Sequence, residues 1–276
     1  MSEKSLIYNL ILKTEPLEDS ENIVEVNSLD IDFDIQKSDR AENNKARVVV
    51  WNLDETSYQT LVERDYAVCL YSGYGEDEPT LIFRGYIKSI EKKNDGMPTS
   101  SDIPTVIELV DGKNACTNSF MNKNYRESVT STAIIKDCVA AMGLSVGKFD
   151  DNIPQKTYYG YKAVGYPHVI LQKICTALGI KFSIQNGLVH ILSPNLPTDE
   201  DKAFVLNLSN SARPRRLGND EIMIPAAFIP QIGINDSVKC KFSEFSGIAR
   251  VGRIHAYGNN YGKAPVTEIF IKTRQA

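Results

Sequence analysis

Three histidines, five cysteines and one run of arginines are the residues of this 276-residue chain best suited to metal, redox or phosphate chemistry. His168, His190 and His255 lie far apart and form no HxxxH or HExxH spacing, so a histidine metal centre has little support. His168 opens a helical stretch and His190 lies in a strand-like one, which makes structural or surface roles the plainer reading. Cys69, Cys116, Cys138, Cys175 and Cys240 are odd in number, widely spaced and free of any CxxC pair. All but Cys116 sit in apolar runs such as YAVCLY, and they read as buried free thiols in a reducing environment. The sequence has no GxSxG elbow, no GxxxxGK[ST] loop and no GxGxxG after a strand. No catalytic, cofactor-binding or metal-binding residue is assigned.

Arg213-Pro214-Arg215-Arg216 is the one basic cluster, placed by its neighbours in an exposed loop. Such a loop either grips a phosphate or an acidic partner, or is simply solvated. Tyr71 and Tyr74 in YSGYG, and Tyr158, Tyr159 and Tyr161 in KTYYGY, sit beside glycines in expected loops. Exposed tyrosine with glycine suits a protein interface, although tyrosines over a barrel mouth read the same way. Tyr257 and Tyr261 around the NNYG loop complete the candidate partner-contact residues, together with Arg213, Arg215 and Arg216. Asp30, Asp32 and Asp34 alternate with apolar residues and are most simply the wet side of a strand.

These residues need a frame, and composition sets its type. The chain is 42% hydrophobic and 24% charged with a net charge of −4, which disfavours disorder and lacks the overall basicity of a nucleic-acid wrapper. No apolar run approaches membrane-spanning length. MSEKSLIYNLILKTEP carries Glu3 before its apolar patch and no small-residue cleavage site, so it reads as a strand and not a secretory signal.

From the start to residue 120 the pattern is strands and turns. LDIDFDIQKS alternates with period two, ARVVVW is rich in β-branched residues, and DETSYQTLV makes a short helix capped by Asn52 or Asp54. YAVCLYSGYG, TLIFRGYIKSIEKK and TVIELVDG complete this part. Residues 121–195 change character. ESVTSTAIIKDCVAAMGL predicts a helix capped near Ser128, Thr130 or Ser131 and stopped at Gly143. HVILQKICTALG predicts a second helix after Pro167, stopped at Gly179. Asn186-Gly187 then sits between two alternating runs, a hairpin signal. Strands return in 196–276. The expected fold is mainly β with an α+β insert of two helices and a hairpin. An assembly part suits this order better than an enzyme.

Three stretches carry a family resemblance. They are YAVCLYSGYGEDEPTLIFRGYIKSI with TVIELVDG, then NYRESVTSTAIIKDCVAAMGLSVG with ALGIKFSIQNGLVHIL, and last IPQIGINDSVKCKFSEFSGIARVGRIHAYGNNYG. Together they resemble the baseplate hub proteins of long-tailed bacteriophages and related contractile injection systems. The resemblance implies two tail-tube-like β-barrels, residues 1–120 and 196–276, flanking the 121–195 lobe. It implies a homotrimeric, pseudo-sixfold ring joining the hexameric tail tube to a trimeric central spike, with no enzymatic activity and no cofactor. The implied partners are further copies of the chain, tail tube protein, spike protein, tape-measure protein and other baseplate proteins. Genomic DNA would pass the lumen without specific binding. The protein would be made in the host cytoplasm and end in the tail baseplate of the virion. A tail-associated cell-wall-degrading or carbohydrate-binding protein is the alternative.

Overall fold

The structure is a computed structural model that describes residues 8–15, 23–63, 67–75, 78–93, 102–112, 116, 119–193, 201–218, 221–262 and 264–272. Of the expected N-terminal strand, Tyr8–Glu15 forms β1 and the rest lies outside the described residues. The strands that follow are β2 (Glu25–Val26), β3 (Ile31–Ser38) and β4 (Lys45–Trp51). Next come helix α1 (Glu55–Glu63), β5 (Ala67–Tyr74), β6 (Thr80–Lys92) and β7 (Pro104–Val110). Asp54 caps α1, its carboxylate accepting from the Ser57 N–H at 2.9 Å.

After the lobe the chain forms β15 (Phe204–Leu206), β16 (Arg215–Leu217), β17 (Glu221–Ala227), β18 (Ser237–Lys241), β19 (Ser246–Asn259) and β20 (Val266–Lys272). These strands join the first group in one 13-stranded sheet, ordered β16-β17-β20-β19-β3-β4-β7-β6-β5-β1-β2, with β18 and β15 attached beside β19. Of the expected fold, the mainly β character is present, while among the described residues no ladder closes either strand group into a barrel. The join is the β3·β19 ladder, from Arg253↔Ser38 to Asn259↔Asp32.

The physical reason lies in the alternation of β3 and the length of β19. Ile31, Phe33 and Ile35 point to one face and are buried, as are Ile254 and Ala256 beside them. At 14 residues, β19 pairs β18 with its first half and β3 with its second. One hydrophobic core results, with Val48, Phe83, Ile107 and Leu109 from the first group packed with Ile224, Val251, Ile269 and Ile271 from the last.

The lobe has a second core of its own. Met121, Ile134, Ile135, Cys138, Leu171, Ile174, Phe182, Val189 and Ile191 belong to it. Helix α2 (Ser131–Ala141) starts at Thr130, whose Oγ1 accepts from the Ala133 N–H at 3.3 Å, and Gly143 follows it at φ +67°. Helix α3 (Pro167–Leu178) begins on Pro167 and ends at left-handed Gly179. Strands β13 (Lys181–Gln185) and β14 (Leu188–Leu192) form the hairpin, with Asn186 at φ +53° and Gly187 at +80°, the pattern of a type I′ turn.

Periodicity did not disclose the lobe's short pieces. These are β8 (Met121–Asn124) paired with β12 (Lys162–Gly165), β9 (Ser128–Thr130) paired with β11 (Thr157–Tyr159), and β10 (Ser145–Phe149) parallel to β14. Runs of three to five residues are too short to show a period.

Candidate assembly surfaces

The lobe meets the sheet through polar groups, at the tip of the β13–β14 hairpin. Asp111, just past β7, accepts from the Asn186 N–H at 2.6 Å and the Gly187 N–H at 3.0 Å. Asn186 Oδ1 in turn accepts from Lys37 Nζ at 2.9 Å and from the Arg84 N–H at 3.2 Å. Asn44 donates to the Ile184 carbonyl and to Gln185 Oε1, and Gln185 donates to the Ser38 carbonyl. Lys37, Asn44 and Asp111 are all buried.

Burial pushes the Lys37 ammonium down to about 8, against the pull of Asp111 and Asp236. Burial likewise raises the Asp111 carboxyl, while Lys37 and the turn amides draw it down. Each charge is costly alone and is held by its opposite. A second set of contacts flanks the first. Lys148 pairs with Asp236 at 2.5 Å, Lys181 with Asp39 at 3.6 Å, and Arg250 donates to the Ser193 carbonyl at 2.7 Å. One signal for this joint was present in the sequence: Lys37 occupies the buried phase of β3 after Ile31, Phe33 and Ile35.

On the opposite face of the sheet the acidic residues of β3 are not free. Asp32 accepts from Trp51 Nε1 at 2.8 Å and from the Tyr261 hydroxyl, which pins the turn after β19 onto β3. Asn260 adds to this, accepting from the Ile31 N–H and donating to the Leu29 carbonyl. His255 lies between Asp34 and Glu268, its Nε2 3.2 Å from one and its Nδ1 3.1 Å from the other. Among the described residues no group of three or more His, Cys, Asp or Glu is placed to hold a metal ion.

The predicted contact tyrosines fall into three groups. Tyr71 and Tyr74 lie in β5 and not in a loop, because that strand runs through YSGY; both are half-buried. The Tyr71 hydroxyl donates to Glu15 at 3.4 Å and that of Tyr74 to the Phe228 carbonyl. Tyr158 and Tyr159 likewise form part of a strand, β11. Tyr158 packs on Tyr161 with ring centroids 5.2 Å apart, whereas Tyr159 is 82% exposed. Tyr257 lies on β19 with its ring 4.8 Å from that of His255, and Tyr261 is held by Asp32.

Arg213 is exposed, but Arg215 and Arg216 belong to strand β16, paired antiparallel to β17. The loop expected there is corrected, since Pro214 sits just before the strand, where no ladder amide is needed. Successive strand residues point to opposite faces, so Arg215 and Arg216 cannot close on one phosphate together. What this strand offers is an edge. The main path of the sheet ends on β16 at one side and on the two-residue β2 at the other, a side branch ends on β15, and the outer sides of β16 and β2 are unpaired among the described residues.

No protein-family model matches the sequence, and no curated protein sequence matches it significantly. Solved structures do match, over 96% of this chain. The 43 kDa tail protein of prophage MuSo2 from Shewanella oneidensis is 12% identical, covered over 98% of its length, with a TM-score of 0.64. A tail protein from Neisseria meningitidis MC58 is 9% identical, covered over 96%, with a TM-score of 0.64. The c3393 protein of E. coli, a type VI secretion component described as structurally similar to the T4 tail proteins gp27 and gp5, is 9% identical, covered over 77%, with a TM-score of 0.61. The chain thus has the fold of phage tail proteins and of a type VI secretion component, as the baseplate-hub resemblance in its sequence implied.

Proposed function

We propose that the chain is a structural, non-enzymatic hub subunit of a phage tail or a related injection device, three copies of which form a ring. The match with tail proteins, which covers 96% of this chain and 96–98% of theirs, carries this reading. The open sheet supports it. Its two edges differ, and unlike edges suit a heterologous contact that closes by rotation. Each chain brings two strand groups, 1–120 and 196–276, so three chains present six around a lumen. The 121–195 lobe stands outside that wall.

One rim of the ring meets the hexameric tail tube and the other a trimeric spike. Tape-measure protein and DNA pass through, and Arg213, Arg215 and Arg216 face neighbouring protein or solvent. Reconstruction of the particle and mass measurement of the purified protein test the reading. Three copies per ring and no clearing of cell walls are expected. Six copies, one copy, or wall clearing by the pure protein would overturn it.

A further inference from the structure

We propose that the outer face of the lobe is a docking surface for an acidic protein partner that brings apolar side chains with it. The surface begins on the β8·β12 ribbon, whose register pairs Lys162 with Asn124 and Val164 with Asn122. Met121 and Ala163 point inward and are buried, so those two pairs face out. Phe120 and Tyr166, one step further on the same face, meet edge to face with ring centroids 6.4 Å apart. Helix α3 extends the strip, because Val169 and Lys173 follow Tyr166 at helical spacing. Phe120, Val164, Tyr166 and Val169 are 65%, 57%, 52% and 40% exposed. A contiguous aromatic and aliphatic strip of this kind is unusual on a surface without a partner.

Charge identifies the partner. Residues 121–195 hold eight basic and four acidic side chains, a net +4, so the remainder of the −4 chain carries −8. The lobe cations facing the sheet are matched, Lys148 by Asp236 and Lys181 by Asp39. Lys162 and Lys173, at the two ends of the apolar strip, are exposed and have no ion pair among the described residues. An apolar centre flanked by unmatched cations fits an acidic surface with apolar anchors: the anchors supply burial and the charges supply steering. A second copy of the same face would set lysines against lysines. A nucleic acid would gain little from Val164 and Val169, and two lysines release few counterions.

The test uses the purified full chain and a random copolymer of glutamate and tyrosine as the acidic, apolar-bearing probe, with polyglutamate and an oligo-dT as comparisons. The copolymer is expected to bind best. Binding should fall about tenfold from low to high salt, and about tenfold again in Phe120→Ser/Tyr166→Ser and in Lys162→Glu/Lys173→Glu. All these side chains are exposed, so melting curves of the variants should overlay that of the parent. No copolymer binding, binding that survives both double variants, equal or better binding of oligo-dT, or self-association abolished by the same variants would each overturn the proposal. None of these outcomes depends on how many copies the ring contains.

Discussion

The carboxylate of Asp111 holds the backbone of Asn186, 75 residues further along the chain, at 2.6 Å, and takes the next amide of the same turn at 3.0 Å. Two charge-assisted bonds to adjacent amides fix both the position and the orientation of the hairpin tip. Asp111→Ala would leave buried Lys37 with only Asp236 to oppose its charge, and both amides without an acceptor. Losing one partner of a buried pair typically costs roughly 3–5 kcal/mol. Urea unfolding should show a loss of that order, and Asp111→Asn a smaller one. Hydrogen exchange at Asn186 and Gly187 should rise in both.

The turn itself is a second point of weakness. Gly187 has φ +80°, and a Cβ there would sit 2.5 Å from Arg84 Nη1. Gly187→Ala combines left-handed strain of roughly 1–2 kcal/mol with displacement of a flexible guanidinium. Asn186→Gly keeps the conformation but removes the acceptor for Lys37 and Arg84. Thermal melts of the two variants should both fall.

Acid sensitivity should trace to His190. Burial, then the nearby charges of Lys148 and Lys37, pushes its imidazole down to about 4. The unfolded chain, with an ordinary histidine near 6.5, binds this proton more readily than the folded one. Stability is therefore full above about pH 6.5 and declines as pH falls toward about 4, by about 3 kcal/mol at most for a shift of this size. A pH series of urea midpoints should show the decline, and His190→Gln should flatten it. An unchanged slope in that variant would count against the assignment.

Thiol labelling should separate the cysteines. Burial pushes Cys69, Cys138, Cys175 and Cys240 each up to about 12, so almost no thiolate is present near neutral pH. Cys116 is less buried and is raised by burial and Asp111. Iodoacetamide on the native protein should modify Cys116 first. All five should react in denaturant.

Tyr261 offers a small and clean control. Its hydroxyl ends on Asp32, which also takes the Trp51 indole N–H. Tyr261→Phe should cost about 1 kcal/mol, with faster exchange confined to the turn after β19. Asp32→Ala, which strands two donors, should cost more.

Much of the architecture was legible because strong periods mark long elements. The alternation of LDIDFDIQKS, the two helices with their glycine stops and Asn186-Gly187 all appear at the expected places. The sharing of one sheet by both ends of the chain was not legible, because the β3·β19 ladder joins residues more than 200 positions apart and leaves no local mark. Composition misled at two places. YSGY reads as a turn, yet its tyrosines pack along β5, and Arg-Pro-Arg-Arg reads as a loop, yet its last two arginines begin β16. Phe120, Val164 and Tyr166 gave no warning of exposure, since an apolar residue in or beside a four-residue strand looks like core until its partner strand is known.

The same long-range ladder governs the order in which the protein can be born. Strand β19 lies between β3 and β20 in the sheet, yet it leaves the ribosome more than 200 residues after β3. The lobe core draws on residues 121–191 alone and can close as soon as they have emerged. The first strand group must wait, with the β3 edge unpaired, until residues 246–259 arrive. Contacts of such sequence separation form slowly and leave strand edges open to wrong partners meanwhile. In a cell making many copies at once, that interval of open β3 edge is when a neighbouring chain can insert its own β19, so exchanged dimers are the misassembly this fold invites.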